Sequence, residues 1–480
     1  MKQPFLKEFS PLYTDFYQLT MAEGYFLTGL FRQKAVFDLY YRKNPFQGGY
    51  LIAAGMDEAV RLLSKFRFTK SDLNYLKEHG FKQSFLNYLK TFRFGLNVQS
   101  VREGEIVFPH EPLMRIEGSI LEAQLVETLL INFVHFSSLV ATKASRIVQA
   151  ASGRKVVEFG LRRAQGLAGI MASRAAYIGG VDGTSNVLAA KTYDLPIFGT
   201  QAHSWIQAFR NEEKSFWEYA RIHKEKTVLL IDTYSTLQSG LPHLIRCLKR
   251  LRKKQIEIHG VRLDSGDLAY LSKEVRRVLD VEGFPRVQIF ASGQLDEYII
   301  ESLLKQKASL NGFGVGTKLV TAYDEPALDM VYKLSEINCQ PEIKISDTLS
   351  KMNEPGKKKV FRFFAKDGQF FLDGIALEHE KTPPKLIHPF NSMAHTKTKG
   401  LKAEPLFHAL MKKGKVVAGK VPVREIREYA KKRLVLLPEE HKRFFYPHIY
   451  RVGVSKKLFD LKEKMILKRL GAKCFRMLLC

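Results

Sequence analysis

Between residues 155 and about 334 the chain repeats one pattern: a short apolar, β-rich run followed by a longer stretch with helical spacing. The runs fall at 156–159, 177–181, 195–199, 228–232, 258–264, 287–291 and 312–316, and helical spacing fills 235–251, 268–279 and 296–304. Units of roughly 20–35 residues are what parallel crossovers need. Seven in series predict an α/β fold with a closed or nearly closed parallel barrel, and an open doubly wound sheet is the alternative. Residues 11–119 mix helices and strands, with two short strands joined by a proline-bearing turn over 103–118. Residues 121–150 read as one long helix or two. Beyond 335 the alternation stops, and strands and turns lead into a basic helical tail. The implied domains are 1–119, 120–334 and 335–480.

Each apolar run ends in small, polar or charged residues. In chain order these are Arg162 and Arg163; Asp182; Thr200 and His203; Asp232 and Thr233; Arg262, Asp264 and Asp267; Ser292 and Gly293; and Gly316, Thr317 and Lys318. Any one aspartate or serine there is most simply a helix N-cap. Arginine cannot cap an N-terminus, and in a parallel barrel all seven positions converge on one mouth. Glycine beside serine or threonine lets backbone N–H groups approach phosphate oxygens. Asp264 and Asp267 suit ribose hydroxyls or a hydrated magnesium ion. The arginines offer planar forks that match carboxylate and phosphate. The ligand read from these residue types is anionic, phosphorylated and sugar-like.

Composition sharpens this picture at one point. The 480 residues are 45% hydrophobic, enough for two or three domains with real cores, and the net charge is +27. That surplus calls for an anionic partner: phosphorylated metabolites, nucleic acid or acidic lipid. The late basic runs at 357–359, 412–413 and 431–433 read as a solvated face, with no aromatic-spaced nucleic-acid module beside them. Cys247, Cys339, Cys474 and Cys480 lack CxxC spacing, which points to a reducing, cytoplasmic setting without structural zinc. No signal peptide is evident at the start, and the weakly charged 128–142 stretch is too short and polar to span a bilayer.

The ordered motifs Tyr13-Thr14-Asp15-Phe16-Tyr17-Gln18, Glu158-Phe159-Gly160-Leu161-Arg162-Arg163, Gly183-Thr184-Ser185-Asn186, Gly199-Thr200-Gln201-Ala202-His203-Ser204, Val261-Arg262-Leu263-Asp264-Ser265-Gly266-Asp267 and Gly314-Val315-Gly316-Thr317 resemble the nicotinate phosphoribosyltransferase family. The resemblance implies an irregular parallel α/β barrel beside an α+β domain built from both chain ends. It implies transfer of phosphoribose from phosphoribosyl pyrophosphate to nicotinate, with ATP hydrolysed alongside and Mg2+ as cofactor, as an entry step to NAD. It makes His203 a phosphohistidine, Arg262 the grip on the pyridine carboxylate, and Asp264 a further catalytic group. Thr200 falls in nicotinate binding, Thr317 in the phosphate loop with Gly316, Ser292 and Gly293, and Arg162, Arg163 and Asp182 around the phosphoribosyl and ring environments. Tyr17 would stack on the pyridine across a homodimer interface. Competing readings are a sister enzyme using nicotinamide and a nucleic-acid-binding protein on a retired barrel.

Overall fold

The structure, a computed structural model, describes residues 9–346, 348 and 351–479, with side chains through Leu470. It divides into two compact units: Met1–Leu139 with Ala327–Cys480, and Val140–Pro326. The boundary falls inside the helix Glu127–Ala150, which follows a separate helix Ile120–Leu125. No helix among the described residues is long and apolar enough to cross a membrane. Cys247 and Cys339 are free thiols, whereas the side chains of Cys474 and Cys480 lie outside the description.

The unit Val140–Pro326 is a mixed α/β structure on a parallel sheet. Its strands are β1 (Lys155–Glu158), β2 (Gly183–Thr184), β3 (Val228–Leu230), β4 (Gly260–Leu263), β5 (Gln288–Gly293) and β6 (Gly312–Val315), in the spatial order β2-β1-β6-β5-β4-β3. Strands covered on both faces read as unbroken apolar runs, as β3 and β6 do, with every residue buried. The last strand pairs with the first, Phe313 opposite Val156. Beyond β2 the chain adds one parallel bridge, Thr184 to Ile197. The neighbours therefore follow chain order cyclically, but the ladder is open between Ile197 and β3, so no continuous closed barrel is formed.

Two predicted runs are not strands as expected. Residues 177–181 are the end of the helix Ala168–Ile178 and the turn after it, and the strand is the short β2 that follows. That helix is buried at every position from Gly169 to Ile178, so it carries no polar stripe to reveal its period. The 195–199 run contributes only the Ile197 bridge.

The other unit holds a seven-stranded sheet in which the strand Lys34–Tyr41 pairs antiparallel with Met330–Ile337 and with the central strand Met114–Ser119. The rings of Phe37 and Tyr332 stack across the first pair at 4.7 Å. The expected hairpin over 103–118 is not formed. Ile106–Val107 pairs with Leu51–Ile52 in a separate small sheet, while Met114–Ser119 joins the large one. At the turn, His110 and Leu113 donate to Tyr41 and Leu39, so the strand Lys34–Tyr41 takes the backbone partners a hairpin would have used.

The basic run at 357–359 is not simply a solvated face. Lys358 is buried, 2.7 Å from the Asp38 carboxylate and donating to the carbonyls of Glu354 and Gly356. Arg433 is likewise buried against Glu105 at 2.8 Å. Part of the positive surplus is spent inside the protein. Nearby, Arg362 clamps Asp373 with Nε and Nη2 at 2.9 and 2.5 Å, and Tyr450 donates to the same carboxylate.

Glu111, fully buried, accepts from the Phe108 N–H through Oε1, while its Oε2 has no partner. Burial, and then the negative charge of Asp373, push the Glu111 carboxyl well above the usual range, against the pull of Arg362. A folded-state pKa above the unfolded value gives stability that is complete below about pH 4.3 and is lost as pH rises through the folded pKa. Glu111→Gln removes that titration while keeping the shape. Its unfolding free energy is expected to gain on the wild type as pH rises above about 4.3, by up to about 1.4 kcal/mol per pH unit, until the folded carboxyl itself ionises. A difference between the two proteins that stays constant as pH rises above about 4.3 would show that the Glu111 carboxyl is not raised in the fold.

Candidate active site

The carboxyl ends of β1, β4, β5 and β6 face a common space, and Arg262 of β4 is its hub. The guanidinium donates through Nε to Ser292 Oγ at 2.6 Å, through Nη1 to Thr200 Oγ1 at 2.9 Å, and through Nη2 to Asp264 Oδ1 at 2.7 Å. Ser292 Oγ also donates to Asp264 Oδ1. The guanidinium carbon stands 5.5 Å from the Phe159 ring centroid. One side chain thus ties together segments that are 92 positions apart at the extremes, from Thr200 to Ser292. Arg262 is only slightly exposed, so its fork is held in place rather than free in water.

Asp264 is held in turn by its backbone. Its N–H donates to Asp232 Oδ2 at 2.9 Å, and Ser265 Oγ donates to the same oxygen at 2.6 Å. Burial alone would raise the Asp264 pKa. The Ser292 hydrogen bond, the charge and hydrogen bond of Arg262, and the charge of His203 outweigh it, and the carboxyl sits below its usual value. His203 opens the helix His203–Phe209, and its Nδ1 lies 3.1 Å from Thr233 Oγ1.

Two cavities meet at this hub. The larger, about 490 Å3, is walled by Phe159, Phe198, Phe290 and Phe313, with Thr200, Arg262 and Ser292 among its polar groups. The smaller, about 240 Å3, is lined by Arg162, Arg163, Asp264, Gly293, Gly316 and Thr317, and shares Phe159, Arg262, Ser292 and Gly314 with the first. Arg162 and Arg163 have no side-chain partner among the described residues. Glycine is required at two places. Gly293 has φ 116°, and a Cβ there would meet the Asp264 carbonyl at 2.9 Å. At Gly314 a Cβ would lie 2.5 Å from the Phe159 ring, so only glycine lets that ring lie against β6.

Family comparison agrees along most of the chain. The profile of the nicotinate phosphoribosyltransferase family matches residues 154–369, that of its N-terminal domain 12–135, and that of its C-terminal domain 357–462. The chain is 41% identical to the nicotinate phosphoribosyltransferase of Bacillus subtilis (strain 168) over 466 residues, covering 95% of each protein. It is 37% identical to that of Caenorhabditis elegans over 525 aligned positions, covering 95% of this chain and 93% of the relative. The chain belongs to the nicotinate phosphoribosyltransferase family. Among solved structures, human nicotinic acid phosphoribosyltransferase superposes with a TM-score of 0.84 at 29% identity, covering 94% of this chain and 99% of the other. A nicotinate-nucleotide pyrophosphorylase from Pyrococcus furiosus gives 0.71 at 25% identity, covering 91% and 97%.

Within this nicotinate phosphoribosyltransferase fold, most of the sequence-derived residues come together and a few do not. Thr200, Arg262, Asp264, Ser292, Gly293, Gly316, Thr317, Arg162 and Arg163 line the two joined cavities. His203 lines neither, and its Nδ1 is held by Thr233 Oγ1 at 3.1 Å. Asp182 is not brought to the site. Its carboxylate accepts from the Val156 N–H at 2.9 Å, near the start of β1, because β2 begins only at Gly183 and Asp182 precedes it. Asp267 caps the helix Leu268–Val281 by accepting from the Tyr270 N–H at 3.0 Å. Tyr17 lies in the helix Phe16–Leu27 of the other unit and is 47% exposed.

The sequence places Thr233 at the end of an apolar run without an individual role, and it gives none to Phe159 or Glu158. Phe159 ends its apolar run as Thr233 follows its own, so the run-end pattern carries the signal for both. Glu158 is fully buried and accepts from Gly160 N–H, Ser173 Oγ at 2.9 Å and Thr184 Oγ1 at 2.5 Å. It anchors the turn that carries Arg162 and Arg163. A glutamate closing a strand gives no hint of that burial.

Proposed function

We propose that this chain joins nicotinate to the phosphoribosyl group of phosphoribosyl pyrophosphate, giving nicotinate mononucleotide and pyrophosphate, and that ATP hydrolysis is coupled to the step through His203. The observation that carries the reading is the junction at Arg262 and Ser292, where an aromatic-walled cavity meets an arginine- and glycine-lined one. The first suits a flat pyridine acid, and the second suits phosphates. The bond between them is made where the two meet.

The pyridine nitrogen carries a free lone pair at neutral pH, so no general base is needed. The lone pair attacks the anomeric carbon while the carbon–oxygen bond to pyrophosphate breaks, and that electron pair leaves with pyrophosphate. Catalysis rests on positioning and on offsetting the charge of the leaving group. Arg262 orients the carboxylate, Phe159 and its neighbours support the ring, and Arg162 and Arg163 meet phosphate oxygens beside the glycine turns.

The hydrogen bonds of Asp264 fall on Oδ1, so its other oxygen suits a Mg2+ ion whose remaining ligands are phosphates and water. Bound there, Mg2+ would offset the charge of departing pyrophosphate. Thr233 occupies Nδ1 of His203, which leaves Nε2 to take the γ-phosphoryl group of ATP as the bond to ADP breaks, and later to release it to water. The finer reading of the sheet as an irregular barrel, a homodimer with Tyr17 crossing its interface, and a cytoplasmic setting go with this proposal.

Initial rates with nicotinate and nicotinamide at equal concentration, with and without ATP, test it. Nicotinate is expected to be turned over, faster with ATP. Turnover of nicotinamide alone would reject the acid substrate.

A further inference from the structure

Lys318 follows Thr317 directly, as a phosphate-binding lysine would, yet it does not line the cavity. Its ammonium is turned onto Asp296 Oδ2 at 2.5 Å. Asp296 is buried and serves two purposes with its two oxygens: Oδ1 accepts from the Ile299 N–H at 2.8 Å, capping the helix Glu297–Lys305. These residues belong to the two glycine turns that wall the smaller cavity. Gly293 and Gln294 stand just before Asp296, and Gly316 and Thr317 just before Lys318.

The parallel ladder between β5 and β6 ends at Gly293 opposite Val315. Past that point the sheet no longer sets the distance between the chain segments, and the side-chain contact between Asp296 and Lys318 ties them together again. Behind it, Glu297 is held by Lys143 and Arg146, both at 2.8 Å and both buried, so Asp296 stands on a rigid base.

We propose that Asp296 and Lys318 form a positioning pair that holds the two glycine turns at the spacing the diphosphate of the sugar substrate requires. The inference rests on the assignment of the smaller cavity to phosphates. It adds a role for residues that touch no substrate, and it assigns the Lys318 charge to the scaffold rather than to the ligand. An ångström of slack between the turns weakens several backbone contacts to phosphate at once.

Asp296→Asn is the informative variant, because the amide oxygen keeps the helix cap and only the ion pair is lost. The KM for phosphoribosyl pyrophosphate is expected to rise about tenfold, with kcat and the KM for nicotinate changed less than about twofold. Lys318→Met should match it, the double variant should be no worse than either single one, and Lys318→Arg should restore most of the affinity. Melting temperatures identify any variant that has lost its fold. An unchanged KM for phosphoribosyl pyrophosphate in both single variants would overturn the proposal, as would equal losses for both substrates. Arg163→Ala serves as the control on the cavity itself. If it too leaves that KM unchanged, the cavity assignment has failed and the pair falls with it; if it raises the KM while the pair variants do not, the pair alone is refuted.

Discussion

Arg262→Ala is expected to raise the KM for nicotinate by about 100-fold while leaving the protein folded. The guanidinium makes three hydrogen bonds, to Thr200, Asp264 and Ser292, and stands over Phe159. In the proposed assignment, removing it deletes the positive group that meets the pyridine carboxylate, and it releases the hydroxyls and carboxylate that Arg262 organises. A hydrogen bond to a charged group contributes about 1.5–3 kcal/mol, which spans roughly one to two powers of ten in affinity. Arg262→Lys should recover little, since a point charge on a flexible stem cannot bridge three partners. Asp264 and Ser292 would still bond each other, so circular dichroism is expected to be unchanged. Steady-state kinetics check the claim, and a KM for nicotinate equal to wild type would remove Arg262 from substrate binding.

His203→Ala is expected to abolish the acid-labile phosphate formed on the protein from ATP and to leave a slow, ATP-independent transfer. The ring is fixed by Thr233 Oγ1 at Nδ1. A phosphoryl group there adds about two negative charges and new acceptor oxygens beside the cavities. In the proposed coupling, that charge is how ATP turnover reaches the substrates. The expected readout is a loss of ATP stimulation by at least about tenfold, with basal transfer kept. Labelled phosphate retained at wild-type level on the variant would show that another residue carries it.

The parts of this protein that were legible in its sequence are those where local chemistry and global position coincide. Five of seven apolar runs became strands because Val, Ile, Leu and Phe on doubly covered strands leave a signature of their own. The run at 177–181 misled because a helix buried on all sides shows the same unbroken apolarity. The turn over 103–118 misled because adjacency in sequence favours a hairpin, whereas the backbone partners lay on the distant strand Lys34–Tyr41.

The site follows the same rule. Arg262, Ser292 and Thr317 sit where polar residues end strands, and that pattern located them. Asp182 precedes its strand rather than following one, because the apolar run before it is a helix end, and so it lies at the opposite end from the mouth. Glu158, Thr233 and the Asp296–Lys318 contact act through partners that only the fold supplies. Basic residues such as Lys358 and Arg433 looked solvated because their carboxylate partners, Asp38 and Glu105, lie more than 300 positions away in the chain.

The most direct measurement is a crystal structure with nicotinate and pyrophosphate soaked or grown in. The account predicts the carboxylate of nicotinate within hydrogen-bonding distance of the Arg262 fork, and pyrophosphate against Arg162, Arg163, Gly293 and Thr317. Both ligands bound away from Arg262, or held in places that do not adjoin, would contradict it.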